Sequence, residues 1–554
     1  MNIRKETAIG IALVVLLLAS VLLAFRFYRS QKYLESEFKK VLDVVYSTNE
    51  NQKISTTEFP NQSQEGMAGK ECSVNKNVCW LDVQKFAKDT VVQIISQVNK
   101  FNFLEPYKTP EQGAGTGSGF FINDKGHILT NYHVIDDATV ISIKVPSLGQ
   151  EIYEVEVIGV SPDRDIALLK IKDKYIDEVK NGLGGKFPYL KLGNSDKILR
   201  TQEILLLGYP LSLPTLKSTQ GIVSGRERIA NQSYIQITAA SNPGNSGGPA
   251  LNQNGEVIGI LNAGFTNAQN MAYIIPISEV KASISDLYKV KFLRKPLLGC
   301  WFTASTKDLA KYLGNPGDGG WYVAEVFENS TLQKNGVKAG DMIYEINGYK
   351  IDRFGEVKVP WSEDRIPVLS VISRLVVGDQ VKLDIYRKGK HKEIKFKLEQ
   401  QAVLPIRAVY PVFEKIDYEV LGGMVIMELS LNHIAVLIER ATHLIAYTKM
   451  EFQFKPKLIV THILPSSQAD KAHTLTDGSI LNQVNDENVS TLADFRKAIL
   501  KSKKSGYVTV KFYDGIIDEL FISLPLDKIL EDEDIFAERY FYDKSKLIDQ
   551  LKKK

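Results

Sequence analysis

The chain has 554 residues, 44% hydrophobic and 24% charged, the balance of ordinary globular protein and enough length for about three or four domains. Lys and Arg number 69 against 65 Asp and Glu, and the net charge of +4 is too small for a nucleic-acid footprint. No Walker-type glycine loop and no cysteine–histidine spacing is present, so neither a cofactor nor a metal is expected.

Ala8 to Phe25 is an uncharged apolar run of 18 residues, near the lower limit for a membrane-spanning helix. A cleaved signal peptide is the other reading, although its apolar core is usually about 7–15 residues and no small-x-small site comes after it here. Arg26, Arg29 and Lys32 favour a cytoplasmic side for the rest of the chain, yet long domains translocate regardless of such charge. Residues 1–30 are therefore assigned to an anchor or signal segment, and the polar residues 31–85 to a stalk and linker. Within that stretch Cys72 and Cys79 are either a small disulfide loop or two free thiols.

Trp80 to Val98 is expected as a helix leading into the first strand of an all-β region, with Asn99 to Ala114 as a loop. Gly119–Ile122 reads as a strand, and Asn123–Gly126 as the turn of a hairpin. Two histidines come next, before the region's serine motif. His127 lies beside the turn and reads as a solvated strand start. His133 lies at the far end of the second strand, where it gives way to a short helical turn, and is the better base. Ile166–Ile171 reads as a mostly buried strand with Asp165 at its mouth. A carboxylate there can orient a histidine, whereas the rival Asp163 follows Ser161-Pro162 as an ordinary turn residue.

Gly244-Asn245-Ser246-Gly247-Gly248-Pro249 sets a serine between residues that permit a tight turn with inward N–H groups. Serine needs a base, and the base an orienting group. His133, Asp165 and Ser246 occur in the order used by chymotrypsin-type barrels. Gly244, Asn245 and Ser246 are the candidate oxyanion donors. Ile260, Leu261 and Ile274 are either pocket lining or plain strand core.

These segments resemble the protease domain of the HtrA/Deg family of trypsin-like serine proteases. The match runs through Gly115–Phe120, Thr130–Val134, Asp165–Leu169, Leu207–Pro210, Gly221–Gly225 and Asn242–Pro249. One departure is visible: the family commonly has an aspartate where Thr238 stands, in a position lining the approach to the site. The resemblance implies a chymotrypsin-like double β-barrel over 86–285, acting without ATP on unfolded or misfolded proteins and cutting after small aliphatic residues. It also implies trimer-based homo-oligomers, and a protease domain facing the bacterial periplasm. A non-enzymatic chaperone or scaffold with a vestigial protease domain is the alternative.

Beyond the barrels, Leu297–Phe302 resembles the carboxylate-binding loop and adjoining strand of a PDZ domain, and Gly336–Gly348 matches its helix-cap, strand and turn. An α+β PDZ domain is thus expected over 296–400. Its mode of action would be strand addition, with Leu298, Gly299 and Cys300 holding the carboxylate of a peptide C-terminus. Cys300 itself reads as a packed residue. Residues 402–525 resemble a second, divergent PDZ-like domain similar to that of the plant-type Deg branch. In it Leu421–Ile426 supplies a glycine loop and strand, and Asp477–Asn485 parallels the Gly340 segment. Arg440–Tyr447 is expected as helix, with His433 and His443 on the surface. Residues 526–554 read as a charged, helix-prone tail.

Overall fold

The β-branched and glycine-punctuated segments between Val91 and Pro276 close into two six-stranded barrels. The structure is a computed structural model and describes residues 80–553 except 230–231, 263–270, 318, 400–402 and 518. The apolar run Ala8–Phe25, Cys72 and Cys79 lie outside the described residues. Among the described residues no helix is long and apolar enough to cross a membrane.

The first barrel is built from β1 (Val91–Lys100), β2 (Glu111–Phe121), β3 (His127–Thr130), β4 (Ala138–Lys144), β5 (Tyr153–Ser161) and β6 (Ile166–Ile171). The second uses β7 (Glu203–Gly208), β8 (Lys217–Ile229), β9 (Gln232–Ile237), β10 (Pro249–Leu251), β11 (Val257–Asn262) and β12 (Ala272–Pro276). Their circuits are β1-β2-β3-β6-β5-β4 and β10-β11-β12-β9-β8-β7. Each interior is filled by buried aliphatic side chains, among them Ile94, Ile143 and Leu169 in the first and Ile204, Ile235 and Ile274 in the second. A further cluster joins the two barrels through Phe120, Leu129 and Leu168 on one side and Leu205, Leu251 and Ile260 on the other. Burying such side chains stabilises a fold by roughly 1.5–3 kcal/mol each.

Two expectations at the entry to the first barrel are corrected. The helix ends at Ala87, and Val91–Lys100 is strand, because Val91, Val92, Ile94 and Ile95 are β-branched and fit a barrel wall better than a helix. The loop is correspondingly shorter, since β1 and β2 pair along their whole length from Val91↔Phe120 to Lys100↔Glu111.

Two α+β modules come after the barrels. The first has β13 (Cys300–Thr303), β14 (Trp321–Val326), β15 (Met342–Ile346), β16 (Tyr349–Lys350), β19 (Gln380–Arg387) and β20 (Lys390–Lys397), with the short pair β17 (Glu356–Val357) and β18 (Ile366–Pro367) apart from its sheet. Asn347 and Gly348 both have positive φ, 48° and 87°, the requirement of the tight hairpin turn between β15 and β16. The second module has β21 (Tyr418–Leu421), β22 (Met424–Glu428), β23 (Leu458–Ile463), β24 (Ile480–Val484), β25 (Glu487–Asn488), β26 (Tyr507–Tyr513) and β27 (Leu520–Pro525). The tail forms helices Leu526–Tyr540 and Lys546–Lys552, whose Leu526, Ile529, Leu547, Ile548 and Leu551 enter this module's core.

The described residues pack as one compact unit. Arg374 of the first module makes a two-pronged ion pair with Asp196 at 2.8 and 3.0 Å and lies over Trp361. On the second module, Thr461 donates to the Leu104 carbonyl at 2.8 Å, while Tyr410 packs edge-on against Tyr132. The helical reading of Arg440–Tyr447 is met by a 3-10 helix, Thr442–Thr448, whereas the surface reading of His433 fails: it is buried at 1% exposure, its Nδ1 closing a capping box with Ser430. Burial holds that imidazole far below its ordinary pKa, at about 3.

Candidate active site

Strand register places the first two candidate residues together. β3 and β6 are antiparallel with Thr130 opposite Ala167, so the residues just past β3 lie beside those just before β6. Past β3 the chain makes a 3-10 turn, Tyr132–Val134, which carries His133. Before β6 it makes another, Pro162–Arg164, closed by Asp165 in the left-handed conformation with φ 51°. Aspartate tolerates that conformation better than most residues.

His133 Nδ1 lies 2.8 Å from Asp165 Oδ2, and the His133 backbone N–H donates to Asp165 Oδ1 at 2.9 Å. The His133 side chain is 46% exposed and that of Asp165 16%. Burial pushes the imidazole pKa down. The Asp165 bond and charge, joined by the charge of Asp136, outweigh it, and the net direction is up from 6.5. Two asparagines complete the hold on Asp165: Asn131 Nδ2 donates to its carbonyl at 3.1 Å and Asn262 Nδ2 to Oδ2 at 3.0 Å. Asn262, at the end of β11, is a site residue that sequence reasoning missed. A single asparagine closing a strand carries no pattern.

Ser246 comes from the second barrel, on the turn before β10. Its segment is locked against the first barrel: the Ser246 carbonyl accepts from the Ser118 N–H at 2.8 Å, and Ser118 Oγ donates to the Gly244 carbonyl at 2.8 Å. Gly247 has φ 85°, and a Cβ there would stand 2.1 Å from the Ser118 carbonyl and 2.2 Å from Thr130 Oγ1. Only glycine allows this approach to Thr130, the end of the strand that leads through Asn131 into the His133 turn. The Gly247 N–H donates to the Leu261 carbonyl, next to Asn262. Ser246 is 6% exposed. Among the three candidate oxyanion donors, the Asn245 N–H is engaged with the Asn242 carbonyl at 3.1 Å.

The other candidates lie elsewhere. His127 is half-buried at the opposite end of β3, against Asn123 and Tyr288. Asp163 accepts the Lys295 N–H at 3.0 Å and so anchors the start of the first module. Ile260, Leu261 and Ile274 are fully buried in core clusters. Thr238 Oγ1 accepts the Ile222 N–H at 3.0 Å. In the first module, Leu298, Gly299 and Cys300 line a cavity of 330 Å³ with Phe302, Leu369 and Ile372. Cys300 is a buried free thiol, pushed up in pKa by burial.

The trypsin-like peptidase domain family matches residues 117–260, and the PDZ domain family matches residues 296–398. A probable periplasmic serine endoprotease DegP-like of Brucella suis is 28% identical over 433 residues, 76% of each chain. That of Pseudomonas putida strain GB-1 is 32% identical over 285 residues, 50% of this chain and 54% of the relative. The chain is a trypsin-like serine endopeptidase with a PDZ domain, similar to the DegP-like and HtrA-type proteases. Solved HtrA-type structures are also similar. AlgW with decapeptide has a TM-score of 0.45 at 22% identity, covering 59% of this chain and 99% of that one. The serine endoprotease from Yersinia pestis has a TM-score of 0.39 at 21% identity, covering 58% and 98%. The candidate residues thus come from both barrels: the turns after β3 and before β6 hold His133 and Asp165, and the turn before β10 holds Ser246.

Proposed function

We propose that this chain is a member of the HtrA/Deg family, an ATP-independent endopeptidase that cuts unfolded or misfolded polypeptides through His133, Asp165 and Ser246. Ser246 Oγ attacks the scissile carbonyl while His133 takes its proton, and His133 then protonates the leaving amine. Asp165 keeps the imidazole in the tautomer that can do this and stabilises the imidazolium. The N–H groups of Gly244 and Ser246 receive the oxyanion, each such donor being worth about a 100–1000-fold rate effect. The observation that carries the reading is the two-point bond from Asp165 to the His133 ring and backbone.

The first PDZ domain takes peptide C-termini at the Leu298–Cys300 turn, which lines a cavity together with the apolar Phe302, Leu369 and Ile372. The periplasm as the working compartment is supported by the names of the DegP-like relatives. The apolar run Ala8–Phe25 supports tethering to the inner membrane, and the family resemblance supports assembly into trimer-based oligomers.

Reaction with a fluorophosphonate probe tests the nucleophile. Mass mapping is expected to place the adduct on Ser246. A chain that stays unlabelled, alone and saturated with C-terminal peptides, would instead be a scaffold.

A further inference from the structure

The two modules share one strand plan and differ at one edge. In the first, β13-β14-β15-β19-β20 is the sheet order with β16 on β15. In the second, β22-β23-β24-β26-β27 repeats it with β25 on β24. The glycine turns correspond residue for residue. The Leu332 N–H donates to the Leu298 carbonyl and the Phe327 N–H to that of Gly299; equally, the Ala469 N–H donates to Gly422 and the Leu464 N–H to Gly423. A Cβ on Gly299 would meet Ser330 Cβ at 2.2 Å, and one on Gly423 would meet Ser467 Cβ at 2.0 Å. Both serines cap a short helix. Cys300 thus matches Met424, and β13 matches β22.

β13 ends its sheet, with Trp301 42% exposed. β22 does not: β21 pairs with it antiparallel from Tyr418↔Met427 to Leu421↔Met424. This is the place, and the chain direction, of a peptide added to the edge strand, with its carboxyl end at the glycine turn. The side chains fill the groove as well. Leu421 is fully buried in one cluster with Ile426 of β22 and Leu492 and Phe495 of the helix Leu492–Ile499. Two residues earlier on the same strand face, Glu419 is 4% exposed and pairs with Arg496 of that helix at 2.5 Å. Arg496 also holds Asp417 at 2.7 Å.

We propose that β21 is a built-in ligand of the second PDZ-like groove, so that this chain receives peptide C-termini in the first groove alone. The ligand class of the second groove is an acidic-apolar strand, read by Arg496 at Glu419 and by the apolar pocket at Leu421. The restriction to the first groove rests on the reading of the first module as a peptide-binding domain.

Amide hydrogen exchange of the full Ser246→Ala chain tests it. A panel of peptides with free apolar C-termini is expected to slow exchange in 298–303. Exchange in 418–428 should already be slow and should not change. Fast exchange of 418–428 in the unliganded chain, or new protection there with peptide, would overturn the proposal. If no peptide slows 298–303 while 418–428 stays slow, the peptide-binding role of the first module fails and the built-in ligand stands. Glu419→Arg sets a like charge against Arg496 and is expected to speed hairpin exchange about tenfold. A peptide with the sequence of residues 415–421 should then protect 424–428. Adding Arg496→Glu should restore slow exchange. Failure of the charge swap to restore it, or an unchanged hairpin in Glu419→Arg, would count against β21 as ligand.

Discussion

Asp165 grips His133 twice, with one carboxylate oxygen on the ring Nδ1 at 2.8 Å and the other on the backbone N–H at 2.9 Å. The second bond fixes the turn that carries the imidazole, and the first fixes the ring on that turn. The left-handed backbone of Asp165 makes both reachable from one residue.

This arrangement should set the acid side of the pH–rate profile. Its partner raises the His133 pKa, and a general base works only when neutral, so kcat/KM should fall with acid through a midpoint above 6.5. Asp165→Asn should lower that midpoint and cut the rate by up to about four orders of magnitude. Peptide-substrate assays across pH check both. A midpoint that stays put in the variant would detach Asp165 from the base.

Asn262 acts through Asp165. Removing its donor in Asn262→Ala takes away a hydrogen bond to a carboxylate, worth about 1.5–3 kcal/mol, and should lower kcat/KM roughly 10- to 100-fold. The acid midpoint should rise, because a less-satisfied Asp165 favours the imidazolium more strongly. A parallel pH titration distinguishes this from simple loss of folded protein.

Gly247 is the contact on which the two barrels close. Gly247→Ala must move the Ser118 carbonyl or Thr130 and also bear a positive φ. Strain and overpacking of this kind cost about 1–3 kcal/mol each. The variant should melt several degrees lower, and lose activity by more than the lost stability explains, as judged by rates per folded molecule.

Glu533, 2% exposed and accepting from the Tyr542 hydroxyl at 3.1 Å, tests the packing of the tail. Burial raises its pKa from 4.5 to about 7, so the folded chain binds its proton more tightly than the unfolded one. The resulting stability is fully present below pH 4.5 and is lost as pH rises through 7, amounting to at most about 3 kcal/mol. Glu533→Gln should flatten this dependence in the melting of the second module.

The pairing of His133 with Asp165 in the candidate site could be read before the fold was seen, because both lie at the ends of short, strongly patterned strands. The hairpin over Asn123–Gly126 and the buried strand after Asp165 together set the register that joins His133 to Asp165. What escaped depends on long-range packing. Val91 and Val92 with Ile94 and Ile95 after them satisfy helical spacing as well as a barrel wall, and only closure against β2 and β4 decides. Likewise Tyr418–Leu421 carries no mark distinguishing an ordinary strand from one lying in a ligand groove. The Gly422-Gly423 turn was legible, whereas its neighbour was not. The tail showed amphipathic helices without showing which core they complete.

Ser246, served by His133, is the proposed nucleophile for polypeptide cleavage. Casein digestion by the purified chain, measured as the appearance of acid-soluble fragments and compared with Ser246→Ala at equal folded concentration, tests it most directly. Cleavage by the parent without added ATP is expected, and none by the variant, which should still bind casein. Equal cleavage by the two proteins would contradict it.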